Sequence, residues 1–142
     1  MWRVLVVDDD QGIRELLRVV LEMEGYQVMT ANDGAQALDL LAATDEPWLV
    51  LMDVMMPRLG GLEVCRRLRE RGATGGRHRV ALMTAGFLGD SECPPPARTI
   101  LRKPFDVDAV VRLIATLAAS GGEPVSFAPT SGLGVEGGCL AG

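Results

Sequence analysis

What most constrains this chain is an alternation of two patterns. Short apolar runs rich in Val, Leu and Ile take turns, over most of its length, with stretches in which apolar residues recur at helical spacing. Such alternation builds βαβ units, with parallel strands in one sheet and helices over its faces. The first run, residues 3–7, leads into a helix predicted over 11–24. There Ile13, Leu16, Leu17, Val20 and Leu21 share a face, Asp10 is the N-cap and Gly25 the stop. A strand over 27–30 follows, then the Asn32-Asp33-Gly34 turn and a helix over 35–43. The third strand, 48–52, is apolar throughout, as suits the centre of a sheet covered on both faces. A helix over 62–71 turns Leu62, Cys65 and Leu68 inward beneath an arginine-rich outer face. Strands over 79–83 and 99–102 come next. A last helix starts near Asp106, with Val107, Val110, Val111, Ile114 and Leu117 on the 3.6 period, and stops by Gly121. The expected architecture is one α/β domain over residues 1–120, a doubly wound five-stranded parallel sheet, with a flexible Gly-rich tail over 121–142.

A chain of 142 residues holds one core of ordinary size, not two. Its net charge of -5 includes no block of like charges, which argues against a nucleic-acid footprint and against a basic membrane-binding patch. The opening apolar run is too short for a secretory signal and no stretch is long enough to span a bilayer, so the expected location is cytoplasmic. Cys65, Cys93 and Cys139 lack paired metal-ligand spacing and read as buried or idle thiols.

The chemistry gathers at strand ends. Open parallel sheets bind ligands outside the carboxyl ends of their strands, and with strand order 2-1-3-4-5 the crevice opens between strands one and three. Asp8 and Asp9 follow strand one, Asp53 strand three, Thr84 strand four and Lys103 strand five, so one edge collects all five residues. Carboxylates crowded into one pocket raise each other's proton affinity unless a cation offsets them. Mg²⁺ suits such a pocket, because it prefers oxygen ligands, keeps some waters and is commonly shared between carboxylates and a phosphate. A carboxylate so placed can accept a phosphoryl group as an aspartyl phosphate. Mg²⁺, the Lys103 ammonium and the Thr84 hydroxyl would together offset the charge on the transferring oxygens. Lys103 is the chain's one lysine among arginines, and a compact ammonium enters a small phosphate site where a planar guanidinium fits badly. Plainer readings exist for single residues: Asp8 as a helix cap, though Asp10 fits that role better, and Asp53 as a strand end. His78, between Arg77 and Arg79 beside a glycine-rich loop, reads as solvated, and Met52, Met55 and Met56 read as packing.

At these residues the chain resembles the receiver domains of bacterial two-component response regulators, through VLVVDDD, LVLMDVMMPRLGG, ALMTA and LRKPF. The resemblance runs from residue 1 to about 119. It implies a flavodoxin-like fold and a stand-alone, single-domain response regulator in a phosphorelay. It further implies that Asp53 is the phosphoacceptor and that Asp9 and Asp53 bind Mg²⁺ directly. Asp8 would act mainly through metal-bound water, and Met55 would supply its backbone carbonyl. Thr84 would contact the phosphoryl group, Lys103 would pair with it, and Pro104 would follow in a cis-peptide turn. Pro57 and Gly61 match the family's loop after the acceptor. The implied phosphodonor is a sensor histidine kinase or a histidine phosphotransfer protein. Beyond self-phosphorylation and autodephosphorylation no enzymatic activity is expected. No output domain follows the last helix, so the effect is expected to pass through an unidentified downstream protein. A second copy of the chain is a further candidate partner; nucleic acid and membrane are not.

Two features depart from the family pattern. Where receivers carry a switch aromatic three residues before the lysine, this chain has Ile100. Movement of Thr84 is then either passed on by aliphatic repacking or not passed on by that route. Residues 86–98, GFLGDSECPPPAR, occupy the place of the family's fourth helix yet contain three consecutive prolines, which forbid a regular helix. A loop or brief turn is expected there, leaving the fourth helix degenerate. These departures keep a rival open, a phosphorylation-independent interaction module. A flavodoxin-like cofactor enzyme would need a phosphate-cradling loop after strand one, where the aspartates would repel a flavin phosphate.

Overall fold

The computed structural model describes residues 2–72, 77–86 and 95–119. In chain order these form β1 (Arg3–Val7), α1 (Gln11–Met23), β2 (Gln27–Ala31), α2 (Gly34–Ala42), β3 (Leu49–Asp53), α3 (Gly61–Glu70), β4 (Arg79–Thr84), β5 (Ala97–Arg102) and α4 (Val107–Ala119). The strands make one parallel sheet in the order β2-β1-β3-β4-β5. The alternation of side chains along each strand splits the core into two layers. Leu5, Val7, Val50, Met52, Val80 and Leu82 pack with Ala37, Leu38, Leu41, Val64 and Leu68 of α2 and α3. Val4, Val6, Leu49, Leu51, Ala81 and Met83 pack with Leu17 and Leu21 of α1 and with Val110, Leu113 and Leu117 of α4. A strand covered on both faces must be apolar at every position, which is why β3 shows no polar alternation.

The expected elements form within a residue or two of their predicted bounds. Asp10 caps α1 by accepting the N–H groups of Gly12 at 2.8 Å and Ile13 at 3.2 Å, and Gly25, with φ 96°, supplies the left-handed turn that ends the helix. Asp33 caps α2 through the Gln36 N–H at 2.8 Å. Each of β3, β4 and β5 takes in residues the pattern left outside, among them Asp53 and Thr84 at the functional edge. On α3 the arginine-rich face is a surface network, with Arg66 and Arg67 paired to Glu63 and Arg66 also to Glu70. Of residues 86–98, where a degenerate helix is expected, 87–94 lie outside the described residues and Ala97 and Arg98 already belong to β5; the tail over 121–142 and the thiols of Cys93 and Cys139 lie outside the described residues as well.

Two expectations are overturned. His78 is 1% exposed rather than solvated. Arg79 turns to the end of α4 and Arg77 reaches the Thr44 carbonyl, while the imidazole packs inward beside them. There His78 Nδ1 accepts the Trp48 N–H at 3.0 Å, a donor that the start of β3 would otherwise bury without a partner. Met55 is the second: its side chain is 72% exposed, whereas Met52 is buried and Met56 packs against the core as expected.

Candidate functional site

The site lies where β1, β3, β4 and β5 end. Asp8 continues β1 by one residue, its N–H reaching the Ala31 carbonyl at 3.2 Å, and is buried completely. Its Oδ1 accepts the Asp10 N–H at 2.9 Å and its Oδ2 accepts from Lys103 Nζ at 2.8 Å. Asp9, one residue on, points to solvent. Asp53 closes β3 at 5% exposure, with Oδ2 at 3.3 Å from the same ammonium and Oδ1 receiving a long contact from the Met55 N–H at 3.4 Å. The carboxylates of Asp8, Asp9 and Asp53 offer oxygens that all lie within 4.8 Å of one another.

Backbone contacts fix this arrangement. Val54 N–H bonds the Met83 carbonyl at 2.8 Å and Lys103 N–H bonds the Thr84 carbonyl at 2.7 Å, which ties the residues after β3 and β5 to the end of β4. Thr84 is buried and its Oγ1 accepts the Gly86 N–H at 3.0 Å in a tight turn. The Lys103–Pro104 peptide is cis, as the resemblance implied. Gly61 opens α3 directly behind Asp53: a Cβ there would lie 2.7 Å from the Asp53 carbonyl oxygen, so only glycine lets the helix start so close. In the loop before it, Arg58 takes φ 68° and reaches Asp33 at 3.2 Å.

One ammonium faces three carboxylates, and the electrostatics show the shortfall. Burial and then the charge of Asp8 raise the pKa of Asp53 above the ordinary carboxylate value, against the opposing pull of Lys103. Burial works against the charge on Lys103, but its hydrogen bond to Asp8 and the charges of Asp53 and Asp8 outweigh it and raise its pKa. An all-oxygen donor set with two of its three carboxylates buried and too little positive charge beside it fits a hard divalent cation such as Mg²⁺ better than a soft metal. Sequence reasoning missed Arg14, whose Nη1 donates to the Asp8 carbonyl at 2.6 Å from one turn inside α1. Its signal was positional only: an arginine four residues past the Asp10 cap, on the face turned to the strand end.

The fold and this edge define a receiver. The chain belongs to the response regulator receiver domain family, whose family model matches residues 4–115. Response regulator MprA of Mycolicibacterium vanbaalenii is 60% identical over 70 residues, a stretch that is 49% of this chain and 30% of that protein. This chain therefore spans less than a third of the curated relatives that it matches. Among solved structures, the receiver domain of the Francisella response regulator 1452 superposes with a TM-score of 0.73 at 26% identity, covering 82% of this chain and 96% of that one. The Thermotoga maritima response regulator TrrA, solved in complex with Mg²⁺ and BeF, gives a TM-score of 0.68 at 32% identity over 82% of this chain and 99% of its own. Among the described residues, no helix is long and apolar enough to cross a membrane.

Proposed function

We propose that this receiver accepts a phosphoryl group onto Asp53 from a sensor histidine kinase or a histidine phosphotransfer protein, in the cytoplasm, and signals through a downstream protein. The observation that carries the reading is the single ammonium of Lys103 set 2.8 Å from Asp8 and 3.3 Å from Asp53 within a cluster of three carboxylates. Asp9, Asp53 and the Met55 carbonyl would hold Mg²⁺, with Asp8 acting through water, and the bound ion supplies positive charge opposite the transferring oxygens. The Mg²⁺ and BeF complex of TrrA supports this assignment.

In the transfer, an Asp53 carboxylate oxygen attacks phosphorus, the bond from phosphorus to the donor's imidazole nitrogen breaks, and that nitrogen takes up a proton. Lys103 stays on Asp8 and pairs with the new phosphoryl oxygens, while the Thr84 hydroxyl donates to one of them. Water later attacks the phosphorus and returns the carboxylate and inorganic phosphate. No other reaction is assigned to the chain. The test is intact mass after incubation with acetyl phosphate and Mg²⁺. A phosphate-sized gain that Asp53→Ala abolishes supports the assignment; a folded protein that shows no gain sinks it.

Ile100 favours a second reading. It is 1% exposed and packed in the same core layer as Leu82 and Ala97, with no ring to swing between buried and exposed positions. The chain would then bind its partner without regard to phosphorylation. Partner affinity unchanged by Asp53→Ala selects this reading. Ile100→Tyr restoring a phosphorylation-dependent change in that affinity locates the missing coupling at this position.

A further inference from the structure

Asp9 is the exposed member of the three clustered carboxylates, and among the described residues its side chain makes no hydrogen bond. Where its oxygens point is therefore decided by the backbone that carries it. Contacts on either side hold that backbone. Asp8 N–H reaches the Ala31 carbonyl at 3.2 Å, Asp10 N–H reaches Asp8 Oδ1 at 2.9 Å, and the Asp10 carbonyl accepts the Arg14 N–H at 3.0 Å. One more falls on the peptide that joins Asp8 to Asp9: Arg14 Nη1 donates to the Asp8 carbonyl at 2.6 Å. A hydrogen bond from a charged donor is roughly twice as strong as a neutral one, which makes this a firm hold on the plane of that peptide. The packing of α1 brings Arg14 there. Leu17, its neighbour three residues on, and Leu21 are fully buried against the sheet, which pins the first turn of α1 beside the end of β1.

We propose that Arg14 is a positioning residue of the cation site, holding the Asp8–Asp9 peptide so that the Asp9 carboxylate is presented beside Asp53, where one ion can take both. The proposal rests on the reading of Asp9 and Asp53 as direct Mg²⁺ ligands given above. Among the described residues the guanidinium pairs with no carboxylate. It grips the chain through a backbone oxygen and leaves the carboxylate oxygens to Lys103 and to a cation. Groups that orient a metal ligand from outside the coordination shell typically carry about 10–100-fold of the affinity. Charge and position act here in opposite directions. A guanidinium this close repels a divalent cation, so losing its charge alone tightens Mg²⁺ binding, whereas losing its grip on the Asp8 carbonyl frees the peptide and weakens it.

The experiment follows the backbone amides of Asp9, Asp53 and Met55 by NMR as MgCl₂ is added to the full chain, with NaCl at matched ionic strength as the control. Wild type is expected to give a saturable shift that NaCl does not reproduce. Arg14→Met, which keeps the aliphatic stem and the helix propensity, is expected to weaken Mg²⁺ binding about tenfold. Arg14→Lys keeps a charged donor that can reach the same carbonyl and is expected to recover most of that loss. Urea unfolding confirms that both variants are folded. Unchanged or tighter Mg²⁺ binding in Arg14→Met overturns the proposal and leaves the Mg²⁺ assignment standing. Weakening that Arg14→Lys does not relieve overturns it too, since the effect then belongs to the altered helix surface. No saturable shift in wild type sinks the Mg²⁺ reading itself, and this proposal with it.

Discussion

At the carboxyl ends of its strands the sheet gathers Asp8, Asp9 and Asp53 around one ammonium, and Asp53 is left with a raised pKa. At the amino ends, polar side chains mostly serve to close the backbone. His78 takes the Trp48 N–H, Arg79 donates to the Leu117 and Ala118 carbonyls at 2.6 and 3.2 Å, and Trp2 Nε1 reaches Ala118 as well, with Arg79 stacked 4.4 Å from its ring centroid. One edge holds groups that a ligand would relieve; the other uses its charges to finish helices and strands. Functional edges of this kind are maintained against local stability, which the rest of the core supplies.

The sharpest way to break the contrast is to remove the shared cation. Lys103→Met leaves two buried carboxylates without their ammonium and is expected to cost about 3 kcal/mol at neutral pH. Urea unfolding checks this, and the loss should shrink on acidification as the carboxylates are neutralised. A cost near zero would show that water already screens the cluster.

At the other edge the test is a titration. Burial first, then the charges of Arg77 and Arg71, push the His78 pKa down to about 4, below its ordinary value near 6.5. The unfolded chain therefore binds the extra proton across that window. The stability tied to neutral His78 is complete above about pH 6.5 and is lost as pH falls toward 4, by up to about 3 kcal/mol. Denaturation of wild type and His78→Gln across that range should show the steeper decline in wild type; parallel curves would place the imidazole in water.

The smallest effect concerns Asp53. Its raised pKa means that the penalty for an ionised Asp53 grows as pH rises through the unfolded-state value and is complete above the folded-state one, so Asp53→Asn is expected to stabilise the Mg²⁺-free protein at neutral pH by about 1 kcal/mol. Thermal unfolding reads this directly. Mg²⁺ should reverse the order, since ligand binding to the native state stabilises wild type more than the variant.

Much of this was legible in order along the chain. Apolar runs gave the strands, Asp10 and Asp33 gave the caps, and the residues just past each strand gave the site, because a parallel sheet brings its carboxyl ends to one edge whatever its loops do. The misreadings have a common cause. His78 sits among arginines and glycine, and local composition says solvent; only the neighbouring β3, thirty residues earlier in the chain, supplies the N–H that draws it inside. Met55 lies in an apolar string, yet the loop that follows Asp53 turns its side chain outward. Arg14 was silent for the same reason, since its partner is a backbone carbonyl that any residue would carry.

The sequence by itself determined the alternation of strand and helix, the two-sided burial of the sheet and the set of residues at its functional edge, because periodicity and strand-end position are local properties of the chain. The tertiary structure alone decided that Lys103 bridges Asp8 and Asp53 across 95 and 50 residues of chain, that His78 is buried and bonded to the Trp48 N–H, and that a cavity opens beside it. Those outcomes depend on which distant groups share a few ångströms of low-dielectric space, and no local pattern encodes that distance.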